Sequence, residues 1–533
     1  MSNSPANQDE PRPSVDATLP SVLIDMRPAL DGYYGIPQET RLLFSSLSAV
    51  RRFRLAGLLQ LSVRRVRGGV RTNTSISKAL RLHRFSKTVV SLKSPIATDW
   101  SEAVGLWISE LLHRWHLRIA AWVGIGSLPL LHFETGFFQD FVWQQLFART
   151  VPAAERTKVL QHDHRICAAP WRTMHLAGIE RARLFGQPRY PRIDTRGVDV
   201  FIAQTPYPGR VSKGTALVIH YHDAIPVLMP HTISDRAFHE ASHFNALAAN
   251  VRDGAWFACV SEGTRRELLT LFPEAESRAV TIHNMIPIHY FPSDGEQERL
   301  AGIVRRHLHG EFISKDRKRQ WLLARKFASE EEKSAFYASA MGPSSRFLLM
   351  VSTLEPRKNH MRLLEAWQAL RDSFAHDLKL VLVGHIGWDY PDTLNACLPA
   401  IEQGGLFMLQ GVPADSLRIL YRYALVTVCP SVGEGFDFAG AEAMRCAGVV
   451  AASDIAVHRE VYGEAAEYFD PYDTSSLVAA LRRLIDAPEA ENRREALRTS
   501  GIKKSESYMP ERIVPQWLEF LQRVVVETSL EAH

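Results

Sequence analysis

Short apolar runs, each stopped by a polar loop and followed by a helix-patterned stretch, recur along this chain. GVDVFIA (197–203), TALVIH (215–220), Trp256–Val260 and Ala279–Ile282 make one series. FLLMV from Phe347, LKLVLVG from 378, GLFMLQG from 405 and VTVC from Val426 make a second. Fully apolar strands alternating with helices predict parallel sheets covered on both faces, the α/β class. A chain of 533 residues is too long for one core, so each series is expected to build its own domain.

The ends and joints follow from composition. Residues 1–20 are polar and Pro-rich and are expected to be disordered. The first domain spans 21–342, with a largely helical inserted region at about 50–190, of which 97–150 is Trp- and Leu-rich, and a charged helical linker at about 300–342. The second spans 343–508, and 509–533 reads as a helix crossing back to the first domain. Ile119–Leu131 is too short to span a membrane and reads as buried or interfacial.

In open α/β sheets ligands bind at the carboxyl ends of the strands, so the loops there carry the chemistry. After Val426–Cys429 comes PSVGEGFDF and then a helix, with Glu434 in the loop and Glu442 one turn into the helix. Loop amides and a helix N-terminus suit phosphate, while carboxylates suit sugar hydroxyls. Arg357 and Lys358 end the first strand of the second domain, apt for a diphosphate. Gly384 ends the next strand. In the first domain, Val22–Met26 runs into a loop whose Gly35 precedes a helix and allows close ligand approach. His222 and Asp223 follow TALVIH, where a histidine would meet a sugar hydroxyl or orient a reacting group. Ser261 is placed to cap a helix. Taken singly, each has a plain alternative: a tight turn, a solvated cation pair, a satisfied loop histidine.

A net charge of +5 on this length does not argue for nucleic acid. The arginine-dense segment Arg51–Arg71 is either an element with a solvated basic face or a patch for anionic lipid. Five scattered cysteines without a CxxC pair point to a reducing compartment and no structural zinc. DxD and GxSxG are absent from the sequence. Neither a bound metal nor another cofactor is expected.

STLEPRKNHMRLLEAW, VLVGHIGW, the segment from LQGVPADSL through SVGEGFDFAGAE to EYFDP, HDAIPVLMP and VSEGTRRELLTLFP together resemble retaining glycosyltransferases of GT-B fold. The resemblance is to family 4, the bacterial mannosyl-, rhamnosyl- and glucosyltransferases. It implies two Rossmann-like domains facing across a cleft, here with a largely helical insertion in the first. It implies catalytic roles for Glu434, His222, Arg357 and Lys358, with Glu434 and Glu442 as the family's paired glutamates. The first lies at the donor sugar and the second at the ribose. It adds Asp223, Ser261, Arg265, Asn284, Gly384 and the loop Gly435, Phe436, Asp437, Phe438 as binding positions.

Asp437 departs from the family, replacing a glycine and adding negative charge near the donor. The expected partners are a nucleotide-sugar donor, GDP-mannose by preference, and a glycan or lipid-linked glycan acceptor in cell-surface polysaccharide synthesis. dTDP-rhamnose, UDP-glucose, GDP-fucose or a turnover-deficient binding scaffold are the alternatives. The expected location is cytoplasmic, with peripheral contact on anionic membrane as an option.

Overall fold

The computed structural model describes residues 19–532 apart from 31, 33–34, 72–74, 94–99, 124–125 and 315. Of the tail expected to be disordered, all but its last two positions lie outside the described residues.

Nine strands form the first sheet. They are β1 (Ser21–Asp25), β2 (Arg54–Leu59), β3 (Ser127–Phe133), β4 (His164–Cys167), β5 (Arg192–Asp194), β6 (Val200–Ala203), β7 (Ala216–Tyr221), β8 (Trp256–Cys259) and β9 (Ala279–Thr281). Their spatial order is β5-β3-β4-β2-β1-β6-β7-β8-β9. β3 and β4 pair antiparallel and the other neighbours run parallel. Every residue of β6, β7 and β8 is buried, as strands covered on both faces require.

The region about 50–190 supplies the expected helices Lys78–Lys93, Trp100–Val123 and Trp171–Phe185, but also β2, β3 and β4. SLPLLHF carries a proline and only two buried side chains of seven, so its strand signal is weak. Pairing with β4 and β5 makes it a strand. Ile119–Leu131 is correspondingly split: Ile119 is exposed on a helix and Leu128 is buried on β3.

The linker 300–342 is likewise not helical throughout. Its helices Leu300–His307 and Glu330–Ala340 flank a hairpin of β10 (Glu311–Ile313) and β11 (Gln320–Leu322). Trp321 explains the hairpin. Its ring is buried against Tyr390, with centroids 5.7 Å apart, and its Nε1 donates to Asn395 at 2.8 Å.

The second sheet holds β12 (Phe347–Val351), β13 (Lys379–Val383), β14 (Leu406–Leu409), β15 (Val426–Cys429), β16 (Val450–Ser453) and β17 (Ala466–Phe469). All run parallel in the order β14-β13-β12-β15-β16-β17. This is the doubly wound arrangement. Its order reverses between β12 and β15, which opens a crevice at their carboxyl ends. The C-terminal helix Pro510–Ala532 returns to the first domain, where Ile513, Trp517 and Leu521 join Val22, Ile24 and Val200 in one core. Among the described residues no helix is long and apolar enough to cross a membrane.

Candidate active site at the switch point

The loops leaving β12 and β15 meet where the strand order reverses. Arg357 and Lys358 lie in a short 3-10 turn, Pro356–Lys358, that follows β12. The turn is anchored to the β15 loop by Val432, whose amide donates to the Arg357 carbonyl at 3.0 Å. Asn359 adds two more ties, from Nδ2 to the Pro430 and Pro471 carbonyls. Both cations converge on one carboxylate: Arg357 reaches Glu434 Oε2 at 2.6 Å and Lys358 reaches Oε1 at 2.5 Å. Arg357 also donates to Glu355 at 2.7 Å and to the Gly433 carbonyl at 2.6 Å. Burial alone would raise the Glu434 carboxyl. The charges of Arg357 and Lys358 outweigh it and hold the group below its ordinary value. The carboxylates of Glu434, Glu355 and Asp223 push the Arg357 guanidinium above its ordinary value despite burial.

The first domain supplies the opposite wall. His222 and Asp223 follow β7, and Asp223 is near enough to Arg357, Glu434 and Lys358 to feel all three charges. Burial raises the Asp223 carboxyl, with Arg357 working against it. Burial also pushes the His222 imidazole down to about 3, so the ring is neutral. Its Nε2 is buried with no hydrogen-bond partner among the described residues. The walls touch through glycines. A Cβ on Gly435 would lie 1.8 Å from the His222 carbonyl oxygen, and one on Gly433 would lie 2.6 Å from Met229 Sδ. Thr264 Oγ1 sits 3.4 Å from both the His222 and the Gly435 carbonyls. Glu460 of the second domain accepts from the amides of Glu262 and Gly263 at 2.7 and 3.0 Å and contacts His283 Nε2 at 2.8 Å.

Asp437 combines a capping role with the charge expected beside the donor. It caps the helix Phe438–Arg445, accepting from the Ala439 amide, at φ 65° where glycine is the easy residue. Its carboxylate turns inward, 2.8 Å from Tyr462 Oη and 3.2 Å from His458 Nε2. Burial would raise it, but the His458 contact, with Lys358 and Tyr462, holds it well below the ordinary range. The His458 and Tyr462 contacts accompany the left-handed backbone, and the carboxylate still acts on Glu434 and Lys358 through its charge.

Other positions named from the sequence distribute around this centre. Ser261 caps the helix Glu262–Leu271, accepting from Thr264 N at 3.0 Å. Arg265 bonds the Ala279 carbonyl and Glu262, both in the first domain. Asn284 is buried, with Oδ1 unpartnered among the described residues. Phe436 packs against Tyr508 and Phe438. Gly384 ends β13 where a Cβ would lie 1.9 Å from the Ser352 carbonyl, so close strand packing requires it. Gly35 caps the helix Ile36–Val50 at φ 70° with open space beside its Cα.

That helix brings in a residue the sequence reading omitted. Gln38 donates to Glu442 Oε1 at 2.8 Å across 404 positions of chain, and Tyr421 donates to Oε2 at 3.1 Å. Its one sequence signal is its place in the first turn after the Gly35 loop. Burial pushes the Glu442 carboxyl up to about 7, and the bonds from Gln38 and Tyr421 offset this in part. The unfolded chain loses this proton near 4.5 and the folded one near 7. This contribution to stability is therefore largest at and below the lower value, falls through that window and is flat above it. Glu442→Gln is expected to gain about 2 kcal/mol over the wild type at pH 8 and nothing at pH 4. Thermal melts of both proteins at the two pH values check this. A variant destabilised equally at both would show that the carboxylate is not the cause.

A profile of the family "Glycosyl transferases group 1" matches residues 334–504. The chain is 29% identical over 170 residues to O-antigen chain mannosyltransferase B of Escherichia coli, covering 32% of this chain and 44% of that protein. It is 26% identical to O-antigen chain mannosyltransferase RfbU of Salmonella typhimurium, covering 42% of this chain and 64% of that protein. The match thus spans less than two thirds of either relative. Sucrose-phosphate synthase from Thermosynechococcus elongatus superposes on 96% of this chain and 100% of its own, with TM-score 0.56 and 12% identity, a likeness of fold. Residues 334–504 are thus similar to the glycosyl transferases of group 1, and the two facing α/β domains have the GT-B fold.

Proposed function

We propose that this chain is a retaining glycosyltransferase that moves mannose from GDP-mannose to a hydroxyl of a glycan or lipid-linked glycan in cell-surface polysaccharide synthesis. The observation that carries the reading is the pairing of Arg357 and Lys358 on Glu434 at the switch point, facing Asp223 and His222. Two cations held on a single buried carboxylate form a site that a diphosphate can take over. The diphosphate displaces Glu434 from the cations, and the freed carboxylate turns to the donor sugar. His222 Nε2, buried and unpartnered, is the open polar atom for a hexose hydroxyl. The names of the mannosyltransferase relatives favour mannose.

In this reading the bond from the anomeric carbon to the phosphate oxygen breaks, and its electron pair stays on the departing diphosphate. Arg357 and Lys358 stabilise the charge that develops there. The acceptor oxygen bonds the anomeric carbon on the same face, and its proton passes to the leaving phosphate oxygen. Closure of the two walls excludes water during the step. We propose that the reaction needs no metal, because the two cations supply the positive charge. EDTA is then expected to leave the rate unchanged, and a rate restored only by added divalent ion would reverse this point.

The test is a panel of nucleotide sugars with oligosaccharide acceptors, reading free nucleoside diphosphate and product mass. GDP-mannose is expected to turn over fastest. Transfer from dTDP-rhamnose, UDP-glucose or GDP-fucose alone would replace the donor assignment. No transfer from any donor, with nucleotide still bound, would leave a binding protein.

A further inference from the structure

The helix Trp100–Val123 takes no part in the site, and its composition is unlike that of any other helix in the chain. It holds four of the chain's eleven tryptophans, Trp100, Trp107, Trp115 and Trp122. At 100° per residue these fall within an arc of about 80°. All four are exposed, Trp107 by 66% and Trp115 by 53%. Ile108 and Leu112 lie beside them and are exposed as well. The helix rests on the body through its other side, where Leu117 is fully buried and the partner is the helix Trp171–Phe185. That partner extends the apolar face, since exposed Phe185 meets Trp122 edge to face at 6.3 Å. A soluble surface rarely leaves so many large apolar side chains together without a use for them.

Exposed cations lie on the body beside this helix. Arg65 is close enough to His113 on the helix for its charge to help push that imidazole down, after burial, to about 4. Arg65 and Arg67 are exposed, and the Arg67 amide bonds Ser91 on the neighbouring helix Lys78–Lys93. At the far end Arg183 is exposed, and Arg181 lies over the Phe185 ring at 5.3 Å. Arg118 is the exception, being paired with Glu180 at 2.5 Å.

Indole rings prefer the boundary between acyl chains and headgroups, and arginines at their margin meet anionic headgroups. From the exposed Trp face and the cations beside the helix and at its far end we infer that the helix Trp100–Val123 docks this protein on an anionic lipid surface, lying in the interface plane. The charge complementarity selects lipid over a second copy of the chain, whose matching face would be equally basic. The inference does not depend on which sugar is transferred. It would hold the first domain against a membrane, where a lipid-linked acceptor is presented.

The test uses the full chain with vesicles of phosphatidylcholine alone or with about one third phosphatidylglycerol, read by co-sedimentation and tryptophan fluorescence. The wild type is expected to pellet with the anionic vesicles, with a blue-shifted emission, and to be released in part by high salt. Trp107→Glu with Trp115→Glu is expected to lower the apparent affinity at least about tenfold. Arg65→Ser with Arg67→Ser is expected to weaken binding to anionic vesicles and leave the weak binding to neutral ones unchanged. Nucleoside diphosphate binding checks that both variants are folded. Equal sedimentation of wild type and the tryptophan variant would overturn the inference, as would no sedimentation of the wild type. A wild type that is dimeric by light scattering, with a monomeric tryptophan variant and no vesicle binding, would assign the face to a second copy instead.

Discussion

Glu434→Gln is expected to remove transfer, by about three orders of magnitude in kcat, while tightening the binding of free nucleoside diphosphate about fivefold. The two effects have one origin. Arg357 and Lys358 both spend their charge on the Glu434 carboxylate, at 2.6 and 2.5 Å. A neutral amide of the same shape competes less well with a diphosphate for those cations, so product-like ligands gain. The same amide cannot answer the positive charge growing on the sugar, so the chemical step loses. Calorimetry with GDP alongside a transfer assay separates them. If both binding and transfer fall together, Glu434 is a structural partner of the cations and no more.

Gly435→Ala is expected to lower kcat/KM about a hundredfold while leaving nucleoside diphosphate binding within a few-fold. The added methyl would have to sit 1.8 Å from the His222 carbonyl oxygen, which is backbone and cannot rotate away. The domains must then part at the one place where both walls reach the sugar, and the acceptor and donor no longer meet at bonding distance. The cation cluster lies entirely in the second domain and is untouched. Small-angle scattering should show a more open molecule than the wild type. Full activity in this variant would mean that the closed contact is not on the reaction path.

The centre of this site was legible because its signals are local. Val426–Cys429 is a buried strand by its own residues, and after it Glu434 falls in the loop and Glu442 one turn into the helix. Arg357 and Lys358 are legible for the same reason, since they end a strand of plain apolar pattern. Gln38 was not legible as the partner of Glu442, because 404 residues separate them and only domain closure joins them. The inward turn of Asp437 depends on His458 and Tyr462, two residues on a later helix. A carboxylate in a loop just before a helix says nothing about which way it will point. The strand β3 and the hairpin of β10 and β11 were hidden for a related reason: their stability comes from pairing and from the burial of Trp321, and their own short stretches carry little strand preference.

The central claim is that a nucleotide diphosphate binds where Arg357 and Lys358 meet Glu434. Titration calorimetry with GDP on the wild type and on Lys358→Met tests it most directly. The account predicts saturable one-to-one binding to the wild type and a loss of at least about tenfold in affinity for the variant. Equal affinity for both proteins, with melts showing both folded, would contradict it.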